Sequence, residues 1–151
     1  MKQPTTEHAG LRRATKSDLP ALLALEQACF GHHSYPDFFF RQALDCWGDQ
    51  LWLAEQNGEV LGYLLMAPGQ QQEGWILALA VAEAARGRGL ARALLNQALS
   101  EAERYACLKL TVDPANTAAL ALYQSLGFDT EDQEPDYFGP GQARLVLAWT
   151  P

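Results

Sequence analysis

No apolar run in this sequence is long enough to cross a bilayer. The longest, WILALAVA at residues 75–82, falls far short of the roughly 20 residues that a membrane helix needs, so no membrane partner is expected. The opening MKQPTTEHAG also lacks the apolar stretch of an export signal. Cysteine is scarce: Cys29, Cys46 and Cys107 are odd in number and make no CxxC spacing, which argues against a disulfide framework and a zinc ribbon. A reducing, cytoplasmic setting fits that usage. Histidine offers no metal motif: His8 stands alone, the adjacent His32 and His33 are expected to diverge, and no HExxH occurs, so no metal is expected. Positive charge is in deficit too. Eleven Lys and Arg against 18 Asp and Glu give a formal net charge of −7, whereas general nucleic-acid binders rely on clustered basic residues that release counterions. A cationic or amine-bearing partner suits this chain better.

What is present is the material of a core. Hydrophobic residues make up 48% and aromatics 10% of 151 residues, enough to fold without disulfides or metal, and no linker divides the chain, so one domain over 1–151 is expected. GLRRAT at 10–15 reads as a first strand. Ser17 or Asp18 is placed to cap a helix with Pro20 in its first turn, and a second helix is expected from about Pro36 to Trp47. QLWLAEQ and EVLGYLLMA flank Asn57 and Gly58, the strongest short-range hairpin signal. After the polar turn GQQQEG, the run at 75–82 reads as a buried strand. A helix after Gly89 carries Leu90, Leu94, Leu95, Ala98, Leu99 and Ala102 on one face, a period that packs on a sheet. LKLTVD at 108–113 alternates apolar and polar residues, as a half-buried strand does. A further helix runs from about Asn116 to Ser125 and is stopped by Gly127, a usual C-terminal residue. GFDTED and ARLVLAW then read as two last strands joined by a polar loop, which completes a mixed α/β pattern.

Within that pattern RGRGLARALL, residues 86–95, concentrates glycine and positive charge where a strand turns into a helix. A helix start exposes main-chain N–H groups at the positive end of the helix dipole, glycines permit close approach, and arginines add charge-assisted contacts, so a pyrophosphate fits there. The alternative is a plain turn with solvated arginines. Arg92 stands where GxGxxG would have its third glycine, and GxxxxGK is absent, so neither the dinucleotide fingerprint nor the nucleoside-triphosphate loop is matched.

Arg86, Gly89 and Ala91, taken with Asn116, Tyr123 and the ending Leu126, Gly127, Phe128, resemble the GNAT superfamily of acetyl-coenzyme-A-dependent N-acetyltransferases. The flavour is that of the ribosomal-protein alanine N-acetyltransferase branch, and the two motifs cover residues 75–128. The resemblance implies a mostly antiparallel sheet of about seven strands flanked by about four helices, and acetyl-CoA as co-substrate. It implies that the strand backbone at Leu79, Ala80 and Val81 holds the pantetheine arm. The amides of Arg86, Gly87, Arg88, Gly89, Leu90, Ala91 and Arg92 would hold the pyrophosphate, and Asn116 the cofactor near its reactive end. Tyr123 would protonate the departing thiolate. A phenol of pKa about 10 is a suitable donor to a thiolate whose thiol titrates near 8.5; the alternative for a tyrosine at this helical spacing is a core or rim residue.

One position departs from the resemblance. That branch has a glutamate as general base where this chain has Thr111, and WILALAVA offers no carboxylate. Freeing an ε-amine of pKa about 10.4 at pH 7.4 costs near 4 kcal/mol, an α-amine of about 7.7–8.0 less than about 1 kcal/mol. The missing base therefore points to an α-amine or another weakly basic nitrogen: a protein or peptide N-terminus, with a small amine or polyamine as the other acceptors. Asp113 lies about 7 Å along the strand from Thr111, as an indirect base or as a solvated or helix-capping carboxylate. Asp129, Glu131, Asp132, Glu134 and Asp136, beside Tyr137 and Phe138 in the loop joining the last strands, would steer a cationic acceptor or simply be solvated. Phe38, Phe39 and Phe40 either line an acceptor wall or pack inward, at least two of them. Two functional readings follow: an active N-acetyltransferase with no acyl-enzyme, or an acyl-CoA-binding sensor or interaction module that has lost turnover. Monomer and homodimer remain open.

Overall fold

The computed structural model describes residues 10–151; His8 and the opening segment lie outside the described residues. The elements are β1 (Gly10–Arg13), α1 (Leu19–Phe30), α2 (Asp37–Trp47), β2 (Leu51–Gln56), β3 (Glu59–Pro68), β4 (Glu73–Val81), α3 (Leu90–Ser100), β5 (Cys107–Val112), α4 (Thr117–Ser125), β6 (Asp129–Glu134) and β7 (Arg144–Trp149). The seven strands form one sheet in the order β1-β2-β3-β4-β5-β7-β6. β4 and β5 pair in parallel, and the pairs β1–β2, β2–β3, β5–β7 and β7–β6 are antiparallel. This is the mixed α/β, mostly antiparallel architecture expected above. No helix among the described residues is long and apolar enough to cross a membrane.

The chain divides into two compact units, residues 10–66 with Ala78–Ala98, and Ala67–Leu77 with Leu99–Pro151. In the first, Asn57 (φ 54°) and Gly58 (φ 80°) make the hairpin turn between β2 and β3, both in the left-handed region such two-residue turns need. β3 is covered on both faces. A Cβ on Gly62 would lie 3.3 Å from Leu94 of α3, while Tyr63, on the other face, meets Phe40 of α2 edge to face at 5.5 Å. That two-sided burial is why Leu61, Tyr63, Leu64, Leu65 and Met66 form a continuous apolar run rather than an alternating one.

Three expectations are revised. Neither Ser17 nor Asp18 caps α1 through its side chain. Residues Lys16–Asp18 form a separate 3₁₀ turn, and the Asp18 carboxylate accepts the Thr15 N–H at 2.7 Å and the Arg12 guanidinium at 2.8 Å. The run at 75–82 is not uniformly buried: Ile76 and Ala80 are buried, whereas Trp75, Leu77, Ala78, Leu79, Val81 and Ala82 remain partly exposed. Ala102 is buried but lies beyond α3, in the 3₁₀ turn Ala102–Arg104.

In the second unit β5 alternates as predicted, with Leu108, Leu110 and Val112 buried. Its polar face carries Lys109, which bridges Glu73 of β4 at 2.9 Å and Glu131 at 2.8 Å, and both carboxylates push its ammonium pKa up. Glu131 belongs to β6. The expected strand GFDTED is β6, which therefore carries Asp129, Glu131 and Asp132 and runs on to Glu134, and of the five acids Asp136 alone is in the loop. Pairing with β7 decides this against their low strand propensity.

Candidate active site

The first unit carries the glycine-rich turn. β4 ends at Val81, a 3₁₀ turn spans Glu83–Ala85, and α3 begins at Leu90. Gly87 (φ 83°) and Gly89 (φ 80°) are both left-handed, and a Cβ at either would meet nothing within 4 Å. Glycine is therefore required here by backbone conformation, in open space. The Gly89 carbonyl accepts the first helical bond, from Ala93 N–H at 3.0 Å, which makes Gly89 the residue at the cap position. Lacking a side chain, it offers no oxygen to the first-turn amides. Main-chain N–H groups of Gly89, Leu90 and Ala91 consequently find no protein acceptor among the described residues.

The side chains of two arginines also have protein partners. Arg86 gives its Nε–H to the Val81 carbonyl at 3.0 Å, and its Nη2 lies 3.9 Å from the Cys29 sulfur. Arg88 bonds the Gln56 side chain at 3.2 Å and the Ala84 carbonyl at 3.4 Å. Both side chains thus brace the turn through neutral acceptors, which leaves their charge uncancelled beside the bare amides. The Val81 carbonyl also accepts the Cys29 S–H at 3.6 Å, so that oxygen of the expected Leu79–Val81 segment is already engaged.

The second unit carries the other motif. Asn116 caps α4, its Oδ1 accepting the Ala119 N–H at 3.1 Å, which leaves the side-chain NH₂ free to donate. Asp113 accepts the Ala115 N–H at 2.9 Å and lies 4.0 Å from Arg144, the helix-entry role rather than that of an unengaged base. α4 has no fully buried residue despite its apolar ALALY. Tyr123 sits there half-buried, its ring 6.0 Å from Phe128. Burial pushes its hydroxyl above the ordinary tyrosine value, so at neutral pH it is a proton donor. No described residue accepts its hydrogen bond.

Elsewhere the aromatic run splits. Phe40 is fully buried, Phe39 is half-buried and stacked on Tyr35 at 4.3 Å, and Phe38 is 66% exposed. His32 and His33 do not diverge; their rings lie 4.1 Å apart on one 3₁₀ turn. Tyr137 and Phe138 are exposed, with the Arg144 guanidinium 5.1 Å over the Phe138 ring.

Sequence reasoning missed Glu26. It lies on the buried stripe of α1 with Leu22 and Leu25, at 3% exposure, and accepts the hydroxyl of the fully buried Tyr63. Its other oxygen accepts the Tyr35 N–H at 2.9 Å. Burial, and after it the Glu26 carboxylate, hold the Tyr63 phenol far above its ordinary value. The available signal was a carboxylate at i, i+3, i+4 spacing within an apolar helix face.

The sequence profile described as Acetyltransferase (GNAT) family matches residues 19–128. N-alpha-acetyltransferase daf-31 of Caenorhabditis elegans is 32% identical over 146 residues, spanning 91% of this chain and 80% of that protein. Peptidyl-lysine N-acetyltransferase YiaC of Escherichia coli is 30% identical over 130 residues, 81% of this chain and 84% of the other. The crystal structure of the ribosomal-protein-S18-alanine N-acetyltransferase from Escherichia coli superposes with a TM-score of 0.82 at 26% identity, covering 94% of this chain and 93% of that one.

Proposed function

The chain belongs to the acetyltransferase (GNAT) family and is an N-acetyltransferase, and we propose that it moves acetyl from acetyl-CoA directly to the α-amine of a peptide or protein N-terminus. The observation that carries this reading is the run of unpartnered amides at Gly89, Leu90 and Ala91 beneath two left-handed glycines in open space. Such a cradle suits a pyrophosphate because donors are already aimed, and the helix dipole favours the negative charge. Arg86, Gly87, Arg88 and Arg92 complete this segment, and Leu79, Ala80 and Val81 receive the pantetheine arm. Acetyl-CoA supplies the acetyl group as an activated thioester.

Asn116 offers its free NH₂ to the carrier near the reacting end. Tyr123, protonated and without a competing acceptor, is the acid for the departing thiolate. Preference for an α-amine rests on the absence of a carboxylate at Thr111 and along residues 75–82, since an α-amine needs little help to lose its proton near neutrality. The similarity to an N-alpha-acetyltransferase and to the S18-alanine enzyme supports the same acceptor. The test is an acceptor panel of peptides with free N-termini, N-blocked lysine peptides, polyamines and small amines, read as release of free thiol. Mass spectrometry then locates the modified nitrogen. Turnover confined to lysine side chains or polyamines refutes the α-amine assignment.

A further inference from the structure

Two side chains share the carbonyl oxygen of Val81, the last residue of β4. The other half of the same peptide, the Ala82 N–H, donates to the Leu61 carbonyl of β3 at 2.8 Å. A trans peptide, as this one is, points its C=O and N–H in opposite directions. The Val81 oxygen therefore faces away from β3. The ladder between β4 and β5 covers Glu73–Trp75 and stops well short of it. An oxygen so turned is an acceptor for an extended ligand arm laid along the end of this strand.

That oxygen is already full. Arg86 Nε–H donates to it at 3.0 Å and Cys29 S–H at 3.6 Å, and a carbonyl has two lone pairs. A further donor has to displace one of them. Arg86 is the one with somewhere to go. It is exposed, it makes no ion pair among the described residues, and it heads the turn whose Gly89, Leu90 and Ala91 amides are unpartnered. Its bond to a neutral carbonyl is roughly half as strong as one to an ionised phosphate oxygen. Arg88 differs, since it holds the Gln56 side chain and the Ala84 carbonyl and leaves Val81 alone.

We propose that Arg86 is a latch on the seat of the pantetheine arm and that a pyrophosphate releases it. With no anion in the turn, the guanidinium occupies the Val81 carbonyl. When a pyrophosphate enters, Arg86 turns to it and gives up that oxygen to an amide N–H of the arm. This rests on the reading that the glycine-rich turn holds the pyrophosphate and Leu79–Val81 the arm. The two halves of the carrier then favour each other's binding reciprocally, because each removes the same obstacle. Arg86 thereby sets the class of acyl donor: a thioester on a pantetheine that lacks the pyrophosphate meets a closed seat, and a coenzyme A thioester opens it.

The experiment is calorimetry of wild type, Arg86→Met and Arg88→Met with coenzyme A, adenosine 5′-diphosphate and pantetheine as probes. Methionine keeps an apolar stem and removes the guanidinium. Pantetheine is expected to bind Arg86→Met about two- to tenfold more tightly than wild type, the worth of the one ordinary hydrogen bond it no longer has to displace. Adenosine diphosphate binds that variant more weakly. Arg88→Met loses an equal charge from the same turn, so it weakens adenosine diphosphate but leaves pantetheine at its wild-type affinity. Saturating adenosine diphosphate raises the pantetheine affinity of wild type and not that of Arg86→Met. Pantetheine affinity in Arg86→Met equal to or below that of wild type overturns the latch, whereas failure of wild type to bind coenzyme A refutes the cofactor reading instead. Where pantetheine binds too weakly to titrate, or Arg86→Met does not melt cooperatively, a crystal structure of wild type with coenzyme A decides. Arg86 Nε is expected away from Val81, and an Nε still within hydrogen-bond reach of that carbonyl overturns the latch.

Discussion

Gly89 and Gly58 form a matched pair of backbone positions. Both have φ 80°, and a Cβ at either meets nothing within 4 Å, so alanine introduces no clash and the whole cost is conformational. Placing an L-residue in the left-handed region costs about 1–2 kcal/mol. At Gly58 the hairpin ladder fixes the turn, and that cost appears in stability, as a melting point lower by about 2–8 °C for a chain of this size. At Gly89 the turn is held by no ladder. Braced only by the Arg86 and Arg88 side chains, the loop relieves the strain by leaving the left-handed region, and the carrier must restore it to meet the amides of Leu90 and Ala91. The same 1–2 kcal/mol then appears as an affinity for coenzyme A weaker by about 5- to 30-fold. Isothermal calorimetry of wild type, Gly89→Ala and Gly58→Ala with coenzyme A, beside thermal melts of all three, separates the outcomes. Equal affinities in Gly89→Ala and wild type, or equal losses in both variants, refute the claim that these amides grip the pyrophosphate.

Tyr123→Phe should lower kcat by about 10²–10⁴ while leaving acetyl-CoA affinity unchanged in calorimetry, because it removes one acidic proton and little packing. Asp18 has its pKa depressed, chiefly by Arg12, so its contribution to stability is present above the ordinary carboxylate pKa of about 3.9 and is lost as pH falls below it. Asp18→Asn should melt lower at pH 7 by the equivalent of about 1 kcal/mol, the usual net worth of a hydrogen bond, and the gap to wild type should narrow as pH falls below about 3.9. Joint replacement of Asp129, Asp132 and Glu134 by amides, with Glu131 kept as the Lys109 partner, should raise KM for a cationic acceptor at low salt and leave kcat unaltered. An unchanged KM in 20 mM buffer, where the Debye length is about 20 Å, removes the steering role.

The linear sequence alone settled whatever depends on contiguous residues. Asn57-Gly58 fixed a hairpin because dihedral preference belongs to the residues themselves, and the alternation of Leu108, Leu110 and Val112 fixed which face of β5 is buried. The bare amides of Gly89, Leu90 and Ala91 follow from glycine at the cap position, again a local property. What folding decided is partnership between distant residues. The side chains of Arg86 and Arg88 find their protein partners in Val81, Cys29 and Gln56, up to 57 residues away. The strand read at GFDTED extends to Glu134 because β7 offers it pairing partners as far as Arg144. Phe38, Phe39 and Phe40 part company because helix rotation against β3 admits only the last completely. Glu26 is a helix-face glutamate in one dimension, and a buried acid only once Tyr63, 37 residues on, closes over it. Local geometry is written in neighbours, but solvation is set by whatever the rest of the chain brings, and the chemistry of a carboxylate or a guanidinium follows its solvation.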